Sequence, residues 1–240
     1  MGMNDNGRFR FAGFLTVLVL CALLLSARVI YLFLADSQRF PVNTVKIAAS
    51  YKHITRKQIE AVLSPYINES FMVLPVSKLK LSLTALDWVS DVQINRIWPD
   101  TLKITLEERV PVAIWNDSLM TAEGQLFNPG EEKIDTTLPR LNGPKQQQTD
   151  ILQIYQKLSK LLSGYGLHAA ALALRDNQAW ELLLTNGVQL RLGKRDIETR
   201  LTRFCRAWPV VFSDKPEQLA SVDLRYARGM AVQWKQQTGR

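Results

Sequence analysis

The chain has little of what catalysis or cross-linking needs. Its 240 residues include two cysteines and two histidines. Cys21 lies in a long apolar run and Cys205 far beyond it, so the two are not expected to pair and no disulfide framework is implied. Cys205, between Phe204 and Arg206, reads as a small buried side chain. His53 and His168 stand outside any serine-, cysteine- or carboxylate-containing signature, which leaves a nucleophile without a base. Glu107 and Glu108 are adjacent on an expected strand and so point to opposite faces. They read as a solvated strand end. No cysteine or histidine cluster has metal-ligand spacing, and no glycine-rich phosphate loop is present. Catalytic, cofactor-binding and metal residues are therefore all expected to be none, and a binding role is favoured.

What the chain does have is one long uncharged segment. Phe11 to Ala27 reads FAGFLTVLVLCALLLSA, and after Arg28 the run VIYLFLA continues to Ala35. About 25 helical residues would reach about 37 Å, more than a hydrocarbon core of about 30 Å. Residues 11–35 are thus expected to span a membrane, with Arg28 snorkelling toward the distal headgroups. Neither Leu25-Ser26-Ala27 nor Phe33-Leu34-Ala35 has small residues at both positions a signal peptidase needs, so an uncleaved anchor is expected. Leu18-Val19-Leu20 likewise lacks the small residues that precede a lipidated cysteine. Arg8 and Arg10 before the run favour residues 1–10 as a cytoplasmic tail. The net charge of +8 lies almost wholly beyond residue 36, which suits acidic partners or anionic headgroups. No nucleic-acid motif accompanies it.

Two differently organised stretches follow. In the first, Phe40–Ile47 reads as a strand entered through Pro41. Thr55-Arg56-Lys57-Gln58 has the form of a capping box, opening a helix that Ser64-Pro65 is expected to end. A second helix is expected over Val76–Leu86, then strands over Val92–Trp98 and Leu102–Glu107 around a Pro99-Asp100-Thr101 turn. The order is strand, helix, helix, strand, strand. In the second stretch, strands are expected at Val112–Trp115, Ser118–Thr121, Ala170–Leu174, Trp180–Leu184, Val188–Leu192, Ala220–Arg225 and Met230–Lys235, with a short one near Phe127. Helices are expected over Asp150–Ser163 and Asp196–Val211, and Asn142–Gln148 reads as a polar connector.

The C-terminal strand–turn–strand from Leu224 to Trp234 admits two readings. It is either a last hairpin with Tyr226 and Trp234 in the core, or a sheet edge open to another chain's strand.

The chain resembles the FtsQ/DivIB family of bacterial cell-division proteins in its proteobacterial form. The resemblance rests on Arg96-Ile97-Trp98-Pro99-Asp100-Thr101-Leu102, Glu107-Glu108-Arg109-Val110-Pro111-Val112-Ala113, Leu138-Pro139-Arg140-Leu141-Asn142-Gly143-Pro144, Gln189-Leu190-Arg191-Leu192-Gly193-Lys194 and Val222-Asp223-Leu224-Arg225-Tyr226, in order behind one anchor. It implies an α+β protein: a single N-terminal transmembrane helix, a POTRA domain (β-α-α-β-β) over 40–109, a mixed, strand-rich β-domain over 110–236, and a loose tail over 237–240. It also implies a non-enzymatic scaffold of the division machinery in the inner membrane, with its main domain in the periplasm, that binds FtsB and FtsL and helps control septal peptidoglycan synthesis. Carried over, the FtsB contact falls on Arg225, Tyr226, Arg228, Gly229, Val232 and Trp234. Arg228 stands where the family would have a small polar residue. The alternative is a membrane-anchored periplasmic chaperone or transport module using its POTRA-like unit, which would spread around the envelope rather than gather at mid-cell.

Overall fold

The structure, a computed structural model, describes residues 5–130, 135, 137–212 and 216–235. The loose tail expected over 237–240 and the first residues of the expected cytoplasmic tail lie outside these. Contacts divide the chain after Glu108 into two compact units.

The first unit begins with helix α1, Asp5–Leu34. Its window Thr16–Leu34 has a mean hydropathy of 2.6 over 19 residues and is unburied by the rest of the chain. At 1.5 Å per residue it reaches about 28 Å, close to a hydrocarbon core of about 30 Å. Length and composition therefore suit a single membrane crossing. Beyond it come β1 (Thr44–Ala48), α2 (Arg56–Ile67), α3 (Val76–Thr84), β2 (Val89–Ile97) and β3 (Thr101–Glu108). The sheet order is β1-β3-β2, with β1 parallel and β2 antiparallel to β3. This is the strand–helix–helix–strand–strand order read from the sequence. Ile59, Leu63, Leu79 and Leu83 from the helices bury against Val92, Leu102, Ile104 and Leu106 from the strands.

The start of α2 is set by the two residues the sequence marks. The Thr55 side chain accepts the Gln58 N–H while the Gln58 side chain accepts the Thr55 N–H, the reciprocal capping box. Three readings need correction. The first strand starts at Thr44 rather than Phe40, because pairing with β3 begins with Thr44 opposite Thr101 and the Phe40 carbonyl is taken instead by the Phe71 amide. Pro65 does not end α2. The helix runs on to Ile67, where Tyr66 packs on the core and bonds Ser82 Oγ at 3.0 Å, holding a last turn that loses only one N–H. Glu108 is not a solvated strand end: its carboxylate accepts the Lys52 and His53 amides at 3.0 and 3.1 Å. His53 itself is half-buried and stacks on Trp88, with centroids 3.8 Å apart.

The second unit is built on a nine-stranded mixed sheet: β4 (Pro111–Trp115), β5 (Ser118–Thr121), β6 (Leu126–Phe127), β7 (Arg140–Asn142), β8 (Ala169–Leu174), β9 (Trp180–Leu184), β10 (Gln189–Gly193), β11 (Leu219–Asp223) and β12 (Ala231–Trp234). Their spatial order is β12-β11-β10-β9-β8-β7-β4-β5-β6. Helices α4 (Gln148–Ser163) and α5 (Ile197–Ala207) bury Ile151, Leu158, Leu162, Leu201, Phe204 and Cys205 against Leu172, Leu182, Leu190 and Val222. The alternate residues, among them Leu183, Arg191 and Asp223, lie on the other face. Burial pushes the Cys205 thiol up to about 11, so it behaves as a small core side chain.

Two features of this unit were not anticipated. Strand β7, in the segment before the expected connector, pairs in parallel with both β4 and β8. The helix expected to reach Val211 leaves α geometry after Ala207 and widens into a π-helical turn, Trp208–Phe212. Pro209 sits inside that turn, and its missing N–H and ring deny an α hydrogen bond to the residue four back.

The C-terminal edge and its turn

Strand β12 is the last of the large sheet. It pairs antiparallel with β11, and no strand among the described residues pairs with its other side. Its outer amides and carbonyls are therefore open to another chain. Val232 and Met230 pack against the core cluster, whereas Trp234 is 46% and Tyr226 57% exposed. Neither aromatic is buried, so the reading of an ordinary core-filling hairpin does not hold. Trp234 rests on Phe212, with centroids 6.2 Å apart, and Phe212 continues through Phe204 and Trp208 at 5.8 and 5.9 Å. Beside this aromatic row, Val210 and Val211 are exposed on the π-helical turn. The edge thus carries an apolar rim as well as a free backbone.

The turn before the strand, residues 224–230, is organised by side chains rather than by its own backbone. Arg203 of α5 donates from Nη1 to the Ala227 carbonyl at 2.7 Å, and from Nη2 to the Tyr226 and Leu224 carbonyls at 2.9 and 3.0 Å. One guanidinium so holds three successive parts of the turn. Arg225 is fixed from the other side, its Nε and Nη2 meeting Asp223 Oδ1 and Oδ2 at 2.9 and 2.6 Å, with its own amide on Oδ1 at 3.0 Å. Around Arg225, a hollow of about 390 Å³ is lined by Gly193, Lys194, Arg195 and Arg200 together with Asn177 and Ala179. Four cationic side chains and no acid line it, a surface suited to an acidic segment.

Of the residues named from the sequence, Arg225, Tyr226, Arg228 and Gly229 are exposed together on the turn, and Val232 and Trp234 follow on one side of β12. The residues that sequence reasoning missed are Arg203, which shapes the turn, buried Phe212, on which Trp234 rests, and exposed Val210 and Val211 on the turn that ends in Phe212. Arg200, Arg203 and Arg206 recur at three-residue spacing along α5, and nothing local marks which of them reaches the turn.

The Arg225 guanidinium, hydrogen-bonded to Asp223, holds that carboxyl below its usual range against the opposing effect of partial burial. A depressed pKa adds stability that is fully present above the ordinary aspartate value of about 3.9 and is lost as pH falls through the folded value. A carboxyl titration of Asp223 followed by NMR is therefore expected to lie below that value, and Arg225→Gln should move it upward. An unmoved titration in the variant would place the cause elsewhere.

The comparisons with known proteins meet this geometry. The family described as "POTRA domain, FtsQ-type" matches residues 40–109, and "Cell division protein FtsQ/DivIB, C-terminal" matches residues 113–225. The chain belongs to the FtsQ/DivIB family. It is 35% identical over 203 residues to a cell division protein FtsQ of Coxiella burnetii, covering 84% of each chain. It is 33% identical over 224 residues to that of Shewanella oneidensis, covering 92% of this chain and 84% of the relative. A Vibrio cholerae relative of the same name is 30% identical over 223 residues, covering 92% and 85%. The chain is accordingly a cell-division protein with a POTRA domain, a strand-rich C-terminal unit and a candidate membrane helix. The C-terminal match stops at Arg225, so most of the turn and all of β12 lie beyond it.

Proposed function

We propose that this FtsQ/DivIB member is a non-enzymatic scaffold that joins division proteins at the inner membrane by accepting a strand from an FtsB-type partner, and FtsL with it, along β12. In this reading residues 1–10 are cytoplasmic, α1 crosses the membrane over residues 11–35, and the POTRA domain (40–109) and β-domain (110–236) work in the periplasm at the septum. Joining these partners there helps to control septal peptidoglycan synthesis. The observation that carries the reading is an unpaired sheet edge flanked by exposed Tyr226 and Trp234. Backbone pairing supplies affinity in β-augmentation, and side chains in neighbouring pockets supply selectivity. Tyr and Trp are the residue types on which interface energy concentrates.

The test is capture of the periplasmic segment of an FtsB-type protein by the full chain and by Tyr226→Ala and Trp234→Ala. Each variant is expected to bind about tenfold more weakly or worse, a loss of about 1.4 kcal/mol and upward. Equal capture by both variants, each shown to be folded by its thermal transition, would remove this reading.

A further inference from the structure

The junction between α1 and the POTRA domain is unusually tied. The apolar window ends at Leu34, whose carbonyl accepts the hydroxyl of buried Ser70 at 2.5 Å. The next residue, Phe71, donates its amide to the Phe40 carbonyl at 2.8 Å. Phe40 meets Phe33 of α1 edge-on, with centroids 5.8 Å apart, and Arg39 lies 4.7 Å over the Phe33 ring. The Phe71 ring in turn meets Trp98 edge-on at 5.2 Å, and the Arg96 guanidinium, bonded to the Leu74 carbonyl, lies 5.7 Å from the centroid of the same ring. From the end of the apolar helix to Trp98 there is thus one hydrogen bond, one peptide step and one ring contact.

Trp98 is 63% exposed and its neighbour Ile97 42%. Ile97 closes β2 opposite Thr101 and Trp98 opens the turn after it, and beyond the edge contact of Trp98 with Phe71 most of these two apolar surfaces stays uncovered. A bilayer offers one: each headgroup layer adds about 5–7 Å beyond the hydrocarbon, and tryptophan concentrates there because its ring is apolar and its N–H polar. Arg39, exposed beside the same junction and paired with Asp36 at 3.0 Å, keeps guanidinium donors that a lipid phosphate can accept.

We propose that Ile97 and Trp98 rest in the headgroup layer and, with Arg39, make the base of the POTRA domain a second membrane contact beside α1. The occupant is a lipid surface, and the proposal depends on α1 spanning the bilayer. That contact restrains the domain against the membrane instead of leaving it to swing on the short link after Leu34. A protein strand or loop is the competing occupant of the same residues.

The test is tryptophan fluorescence of the full chain reconstituted in vesicles whose lipids carry bromine either near the headgroup or deep in the acyl chain. Vesicle flotation with resistance to carbonate extraction first establishes that α1 is inserted, which separates failure of that premise from failure of the proposal. Shallow bromine is expected to quench the wild type more than deep bromine. Trp98→Phe, which keeps the ring contact with Phe71, should lose most of that difference, whereas Trp88→Phe should retain it. An inserted wild type with no shallow quenching overturns the proposal whether or not either variant folds. Equal quenching in wild type and Trp98→Phe overturns it too.

Discussion

An Arg203→Met variant is expected to lose capture of an FtsB-type segment by about 10- to 100-fold while keeping its fold. Methionine preserves much of the apolar stem that packs in α5 but removes all donors to the Leu224, Tyr226 and Ala227 carbonyls. Residues 226 and 227 are exposed, so water replaces much of what is lost there. The stability cost should stay near 1–2 kcal/mol, below the sum of three charge-assisted bonds. Binding is more sensitive than stability. Without the guanidinium the turn samples many shapes, and affinity falls in proportion to the fraction that still presents Tyr226 and Arg228 correctly. A competent fraction of a few per cent gives the loss stated. Arg203→Lys should fall between, since one ammonium is a point charge and cannot reproduce the fork. Titration calorimetry with the periplasmic segment, beside a thermal melt of each variant, reads both quantities. Binding within twofold of wild type in a folded Arg203→Met protein would show that the turn needs no clamp.

The same contrast between local and distant causes explains how much of the molecule could be read from its residues. The capping box at Thr55 and Gln58 and the β-α-α-β-β order were legible because each is built from signals that lie within a few positions of one another. Strand β7 was not, since three residues around one buried Leu141 carry no periodicity. It is a strand because β4 and β8 leave a gap of one strand between them. Pro65 misled for a related reason: a proline signals a helix end, and packing of Tyr66 outweighed the signal. The C-terminal residues were found through family resemblance and the edge position of a last strand. Exposure of Tyr226 and Trp234, and the aromatic row beneath Trp234, needed coordinates.

Gly193 joins these levels, and substituting it should produce the largest loss of stability near the edge. Its φ is +79°, in the region that side chains strain to adopt, and it sits where the β10–β9 register shifts. A Cβ there would lie 2.5 Å from Arg200 Nη1 and 3.1 Å from Arg225 Cγ. Neither neighbour is free to retreat without loss. Arg200 Nη1 donates to the Leu192 carbonyl at 2.6 Å, and Arg225 is forked onto Asp223. Gly193→Ala is therefore expected to cost about 2–3 kcal/mol, from backbone strain of about 1–3 kcal/mol with a weakened hydrogen bond added. Urea denaturation of the soluble part should show a lower midpoint at unchanged slope. The Asp223 carboxyl should also titrate higher than in the wild type, because Arg225 is pushed off it. Gly193→Asn separates the two causes: asparagine tolerates positive φ but keeps the Cβ. Recovery of stability without recovery of the titration shift would assign the energy to the backbone and the displacement to the contact. An unchanged midpoint in Gly193→Ala would mean that both arginines yield freely, and that the hollow they line is softer than its hydrogen bonds imply.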